Sequence, residues 1–322
     1  LSLFFFQDVV TLILCNSMVA FFTGVFRPSR QALINEVAPQ EQIMGANSLF
    51  GSTNAIINLI GPFIGASLFS VFDGINEVLT FDFLTYVLGI SLLSRLHYDR
   101  SKLTETHSQG NIFSDTALGF SYIANRADLF AIVTNQFLVG LCIGLLIPLL
   151  IPYTVEVLGG TEFQYGIMMS LFGLGGIIGS FLTKKLQKSL PNGKIPYLSI
   201  AIEPLLFFGF IIFQNYYTSC FFFFFWGITV FMRITSQMNF ISNSVETHFL
   251  SRVHSTLELS FFVPNILGGL IVTFIGQTIP TEKILFWAMV SFCTLIYARL
   301  PLPHMRRLWL AKPNSVKRNI QT

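Results

Sequence analysis

Charge is what this chain of 322 residues has least of: Asp, Glu, Lys and Arg make up 11% of it, against 52% hydrophobic residues. A water-exposed domain carries about 25% charged residues, because its surface has to be solvated. The shortage excludes a soluble protein of ordinary composition. The formal net charge of +3 is also too small to suggest nucleic acid, so no nucleic-acid partner is expected. Cysteine is scarce. Cys15, Cys142, Cys220 and Cys293 each lie inside an apolar run, with no C-x-x-C pair among them. They read as small buried hydrophobes rather than metal ligands or redox groups. Catalytic signatures are absent too: no H-E-x-x-H, no G-x-x-x-x-G-K-[ST] loop and no G-x-S-x-G elbow. Neither an enzyme nor a cofactor or metal is expected, and an ATP motor on this chain is disfavoured. Finally, Leu1 to Phe6 has neither an initiator Met nor a basic n-region. It reads as a cut end rather than a leader.

What the chain has in abundance is apolar length. It holds 36 Phe residues and a mean hydropathy of +0.66. Crossing a bilayer takes about 20 apolar residues, at about 1.5 Å of rise each. Nine runs meet this requirement, near 9–26, 49–72, 78–96, 129–153, 165–183, 195–213, 219–241, 257–277 and 284–302. The runs are continuous rather than alternating, so the expected fold is all-α transmembrane and not a barrel. Lipid is the expected main partner. The connections between runs divide sharply by charge. One side carries 17 of the 19 Lys and Arg residues, among them Arg27, Arg30, Arg126, Lys184, Lys185, Arg252 and Arg306. The opposite side carries only Lys283. An excess of Lys and Arg marks the cytoplasmic side. The C-terminus is therefore expected in the cytoplasm, in an inner (plasma) membrane, with Leu1 outside and further spans upstream. Residues 97–128 form the longest polar stretch, within which Ile112, Phe113, Ala117, Phe120 and Ile123 recur at helical spacing. The expected organisation is a first group of helices at 1–96, a cytoplasmic linker with an amphipathic helix at 97–128, a second group at 129–303 and a tail at 304–322.

Several spans carry more than apolar bulk. In the second, Asn47, Gly51, Asn54, Asn58, Gly61 and Gly65 follow one helical face, with Pro62 expected to bend it. Such a face suits a tight helix seam or a polar path, and both readings stand. The fifth span repeats the small-residue face with Gly166, Ser170, Gly173, Gly176 and Ser180, flanked by Gly175 and Gly179; the eighth has Asn265, Gly269 and Gly276. Charges inside spans are few. Glu203 lies near the middle of its run, just before Pro204, with Arg233 in the inner half of the next. A charge at the bilayer centre costs about 2.5–3.5 kcal/mol on insertion scales, so Glu203 is a candidate for proton coupling, or else a protonated or locally paired structural residue. Arg233 can snorkel toward the basic side. Glu258, near the start of its span, can reach interfacial water or pair with Arg252. Asn16, Asn135 and Gln136 are uncharged candidates for a cavity wall, alongside Asn54, Asn58 and Asn265.

Two stretches carry a family resemblance. Phe26-Arg-Pro-Ser-Arg-Gln-Ala-Leu-Ile-Asn-Glu-Val-Ala-Pro through Gly45-Ala-Asn47, followed by Ile60-Gly-Pro-Phe-Ile-Gly65, resembles the fourth-to-fifth helix region of major facilitator exporters, in the branch of macrolide-efflux and enterobactin-exporter-like proteins. Ile151-Pro-Tyr, Tyr165-Gly-Ile and Gly173-Leu-Gly-Gly through Gly179 look like that branch's seventh-to-eighth helix region. Ser251-Arg-Val-His-Ser is similar to its tenth-to-eleventh connection. The resemblance implies twelve helices in two halves, of which these runs would be helices four to twelve. It also implies that the glycine-faced fifth, eighth and eleventh helices meet between the halves. Gly61-Pro-x-x-Gly65 resembles part of an antiporter motif, from which Ser48, Ile57 and Ala66 depart. The implied function is a monomeric secondary transporter that exports an amphipathic small molecule, drug- or siderophore-like, against protons by alternating access. A lysophospholipid flippase is the alternative transporter. A non-transporting or degenerate membrane protein is the alternative of another class.

Overall fold

The computed structural model describes residues 75–95 and 112–311 apart from 188, 192 and 277, together with scattered positions between 15 and 72. Everything described is helix or connection, with no strand among the described residues. The chain divides into two compact units, Leu1–Ser108 and Gln109–Thr322. In the first, α1 spans Ile75–Leu93. The second holds α2 (Ile112–Ala124), α3 (Ala127–Leu146), α4 (Glu162–Leu186), α5 (Lys194–Ile212), α6 (Tyr216–Ser244), α7 (Thr247–Ile275), α8 (Thr281–Arg299) and α9 (Pro303–Leu310). Seven helices among the described residues are long and apolar enough to cross a membrane. They match the seven expected runs from 78–96 onward. The runs expected at 9–26 and 49–72 lie outside the continuously described residues.

Local sequence explains the helix ends. Thr161 caps α4 by accepting from the Gln164 backbone N–H at 3.2 Å, while the Gln164 side chain accepts from the Thr161 N–H at 2.9 Å. This reciprocal pair satisfies two otherwise orphaned donors. Gly159, at φ 65°, makes the left-handed turn before it. Asn215 caps α6 by accepting from the N–H groups of Tyr217 and Thr218. α3 runs past its expected end because Pro148 and Pro152 change its winding without stopping it. A tight turn at Ile147–Leu149 and a wide one at Tyr153–Val157 carry the helix on to Val157. Tyr153 is buried there and its hydroxyl donates to the carbonyls of Phe210 and Ile211 on α5.

Within the second unit, α6 packs between α4 and α5, α8 lies against α5 and α3, and α7 lies against α3. α2 rests on α7: Tyr122 stacks on Phe249 at 4.4 Å and Ile123 is buried, although Phe120, assigned to the same apolar face, is exposed. Lys184 and Lys185 end α4, Lys194 starts α5 and Arg299 ends α8, so the alternating helices gather these cations at one basic end. There Arg126 donates to the Ser244 carbonyl at 2.6 Å and pairs with Asp128, pinning the start of α3 to the end of α6. α9 lies at the same end, against α3 and α5.

Candidate functional site: a buried charge cluster

Among the described residues, the second unit buries an ion pair at its centre. Arg233 on α6 donates from Nε to Glu203 Oε1 on α5 at 2.7 Å, and both side chains are 2% exposed. A second guanidinium nitrogen, Nη1, donates to Gln136 Oε1 on α3 at 3.2 Å. Three helices thus share one cation. Depth explains the match: Glu203 stands nine residues after Lys194 at the start of α5, and Arg233 eleven before Ser244 at the end of α6. Consecutive antiparallel helices bring those positions to similar levels. Two ions taken out of water cost several kcal/mol each, and only close pairing with further hydrogen bonds offsets this. Arginine suits the task because its planar fork serves two acceptors at once.

The pair sits beside an aromatic block. Phe207, one turn beyond Glu203, stacks on Trp226 at 5.3 Å, and Phe210 and Phe223 complete the group with Phe292 of α8. Buried apolar rings on this flank lower the local dielectric, which strengthens the Coulomb attraction. Pro204 leaves α5 without one backbone donor just below. α8 braces the same segment, with Tyr297 Oη donating to the Ala201 carbonyl at 3.0 Å and Cys293 Sγ to that of Pro204 at 3.5 Å.

Other expected residues go elsewhere. Asn135 is buried against Met305 of α9, its Nδ2 3.5 Å from Met305 Sδ. Asn265 donates to the Gly140 carbonyl at 3.4 Å, which places its amide in the α3–α7 seam. Around it a Cβ added at Gly144 would collide with the Asn265 carbonyl oxygen, and one at Gly268 would stand 2.6 Å from that of Leu141, so glycine is required for this approach. Gly269, singled out from sequence, leaves more room, with its nearest neighbour at 3.9 Å. On α4, Gly173 is buried; a Cβ at Gly179 would run into the Ile228 carbonyl, and one at Gly176 would lie 2.6 Å from the Phe231 ring. These α4 contacts are with α6 of the same unit, whereas the resemblance assigns the glycine-faced helices to the meeting of the halves. Glu258 is exposed. Its expected pairing with Arg252 runs against helical register, since six residues turn the two about 120° apart. The Arg252 guanidinium lies 5.7 Å above Phe249. Gly61 and Gly65 are helical. Asn16, Arg27, Arg30, Gly51, Asn54, Asn58 and Pro62 lie outside the described residues.

Glu203 and Arg233 stand out separately in the sequence, with Arg233 expected to snorkel; the structure pairs them. The signal was available, since two opposite charges at matching depth on consecutive spans have to find each other in lipid. Thr134, Ser199, Trp226 and Met305 escape sequence reasoning, having nothing to distinguish them in an apolar run.

A helical bundle with membrane-length spans and a buried, multiply hydrogen-bonded ion pair defines a polytopic membrane protein. A family model for the Major Facilitator Superfamily matches residues 1–269, so the chain belongs to the major facilitator superfamily, as a multi-pass membrane transporter and not an enzyme. An uncharacterized MFS-type transporter of Bacillus subtilis (strain 168), YfmI, is 24% identical over 283 residues, spanning 84% of this chain and 68% of that protein. Among solved structures, the crystal structure of a bacterial homologue of the human lysosomal transporter Spinster, inward-facing and unoccupied, superposes with a TM-score of 0.60 at 14% identity. The likeness covers 88% of this chain and 74% of that one, and it concerns the fold.

Proposed function

We propose that this protein is a proton-linked exporter of an amphipathic small molecule, of the macrolide-efflux and enterobactin-exporter-like branch. It works as a monomer in the inner membrane by alternating access, with the basic end and C-terminus in the cytoplasm. The buried Glu203–Arg233–Gln136 cluster is the observation that carries this reading. Protonating Glu203 removes the anion that holds Arg233, leaving the guanidinium with only neutral acceptors on Glu203 and Gln136. One proton thereby weakens the tie of α5 to α6 relative to that of α3 to α6, a differential effect of the kind that coupling to a conformational equilibrium requires. The exporter direction rests on the resemblance at Gly61-Pro-x-x-Gly65.

The test is transport by the full-length protein in proteoliposomes. Efflux of an amphipathic dye is expected to collapse when the proton gradient is dissipated; efflux indifferent to the gradient ends the coupling claim. In Glu203→Gln, gradient-driven export is expected to be lost while counterflow exchange persists. Normal coupled export in that variant would remove Glu203 from the mechanism.

A further inference from the structure

Between the charge cluster and the basic end lie polar atoms that nothing in the cluster uses. Asn135 is 2% exposed and its Oδ1 has no hydrogen-bond partner; Ser199 is also 2% exposed and its Oγ has none. Helical register puts both next to the cluster. Asn135 immediately precedes Gln136 on α3, and Ser199 lies one turn before Glu203 on the same face of α5, toward the basic end. A buried carbonyl or hydroxyl left without a partner is costly, and an apolar side chain of similar size would avoid the penalty. Two such groups flanking one ion pair make sense if water reaches them in another state.

Over Asn135 and the first turn of α5, on the way to Ser199, lies α9. It is a short amphipathic helix with Met305 and Leu308 buried beneath it and Arg306 and Arg307 exposed above. Its inner contact with Asn135 is only a thioether, a weak acceptor. Its other attachments lie at the rim. His304 Nε2 of α9 lies 3.4 Å from Nη2 of Arg299 at the end of α8, a nitrogen that also donates to Thr134 Oγ1 of α3. Lys194 Nζ sits 4.9 Å over the Trp309 ring, which meets Tyr197 edge-on at 5.0 Å. Gly193 makes the fit possible, since a Cβ there would collide with the Leu308 carbonyl oxygen. A few polar contacts at the edge and none that satisfy the polar floor describe a removable cover.

We propose that α9 is a plug over a proton-access path to Glu203, in which Asn135 and Ser199 hold water once the plug lifts. The path leads from the basic end, past Ser199, to the carboxylate one turn deeper. The idea rests on the reading of Glu203 as a proton-exchanging group, but the plug itself can be tested without transport.

The plug is tested in full-length protein freed of its cysteines. Ser199→Cys is introduced and inside-out vesicles are treated with the membrane-impermeant reagent 2-sulfonatoethyl methanethiosulfonate. Two variants unseat α9 by different routes: Leu308→Asp puts a charge in its buried face, and Gly193→Ala pushes its backbone away. Labelling of Ser199→Cys is expected to rise by about tenfold or more in each, the scale of an overpacking change at a tight contact. Ile200→Cys, at a fully buried apolar neighbour, is expected to stay unreactive throughout. Equal labelling of Ser199→Cys with α9 seated and unseated overturns the plug. So does labelling of Ile200→Cys alongside it, which would mean general unfolding. The proton role is read from the carboxyl infrared band that Glu203→Gln removes. Asn135→Leu with Ser199→Ala is expected to slow its response to a pH jump by about tenfold, the equivalent of a lost hydrogen bond or two; an unchanged rate overturns the path. Absence of gradient-driven efflux in the unmodified protein, with the labelling pattern intact, would count against the exporter reading and leave the plug standing.

Discussion

α6 meets its two neighbours by opposite strategies. Toward α4 it is joined backbone to backbone: a Cβ at Gly175 would collide with the Phe224 carbonyl oxygen, and one at Gly227 with that of Phe172. Toward α5 it is joined through large side chains, with Trp226 stacked on Phe207 and Arg233 paired with Glu203. Lipid offers little hydrophobic drive between helices, so the first seam gains from many close van der Waals contacts that have one good arrangement. The second seam depends on an ion pair whose strength changes with one proton. On the proposed proton coupling, a rigid face and a switchable face on the same helix would let α4 and α6 move as one body while the tie to α5 is renegotiated.

Breaking the switchable face should have the largest effect. Arg233→Met leaves Glu203 buried without its cation and should destabilise the protein by about 3–5 kcal/mol, read from thermal unfolding in detergent; the double variant Glu203→Leu/Arg233→Met should recover most of that stability yet remain without proton coupling. If the double variant is no more stable than the single one, the pair is more than a mutual neutralisation and the comparison loses its basis. The glycine face comes next. Gly179→Ala has to separate two backbones and should cost about 1–3 kcal/mol, while leaving the pH dependence of any remaining transport unchanged. A shifted pH profile in Gly179→Ala would show that the two faces are not independent. The smallest effect belongs to the rim of the α5 side. Burial and the Arg299 guanidinium hold His304 below its ordinary value, with Phe130 of α3 edge-on to the ring and Lys194 of α5 the other cation under α9. Arginine can only donate, so His304 Nε2 accepts and the seated ring is neutral. The sign follows: its contribution to seating α9 is complete above about pH 6.5 and declines as pH falls through the lowered value. Protease accessibility after Leu310 should therefore rise in mild acid, and His304→Gln should remove that dependence.

Membrane embedding was legible in the sequence because it depends on local quantities. A run of apolar residues has to be helical in lipid whatever surrounds it, and the seven described spans match the runs from 78–96 onward. The small-residue faces were equally visible on α4 and α7. Their partners were not. Gly176 and Gly179 announce that something comes close, but only packing shows that the helix coming close is α6 of the same unit. Asn265 illustrates the same limit. An amide in an apolar run needs a hydrogen bond, and whether a cavity water or the Gly140 carbonyl supplies it depends on which helix lies across.

The sequence alone therefore determined the medium, the helical class and which charges fall inside spans, because each follows from the cost of placing a given residue in lipid. Tertiary structure alone decided that Glu203 and Arg233 are a pair, that Gln136 is their third member, and that Met305 covers Asn135. Those facts join residues 30, 97 and 170 positions apart, and no local preference reaches that far. They are set by how whole helices pack, since the energy of an ion pair or an unpaired amide depends on what stands opposite it.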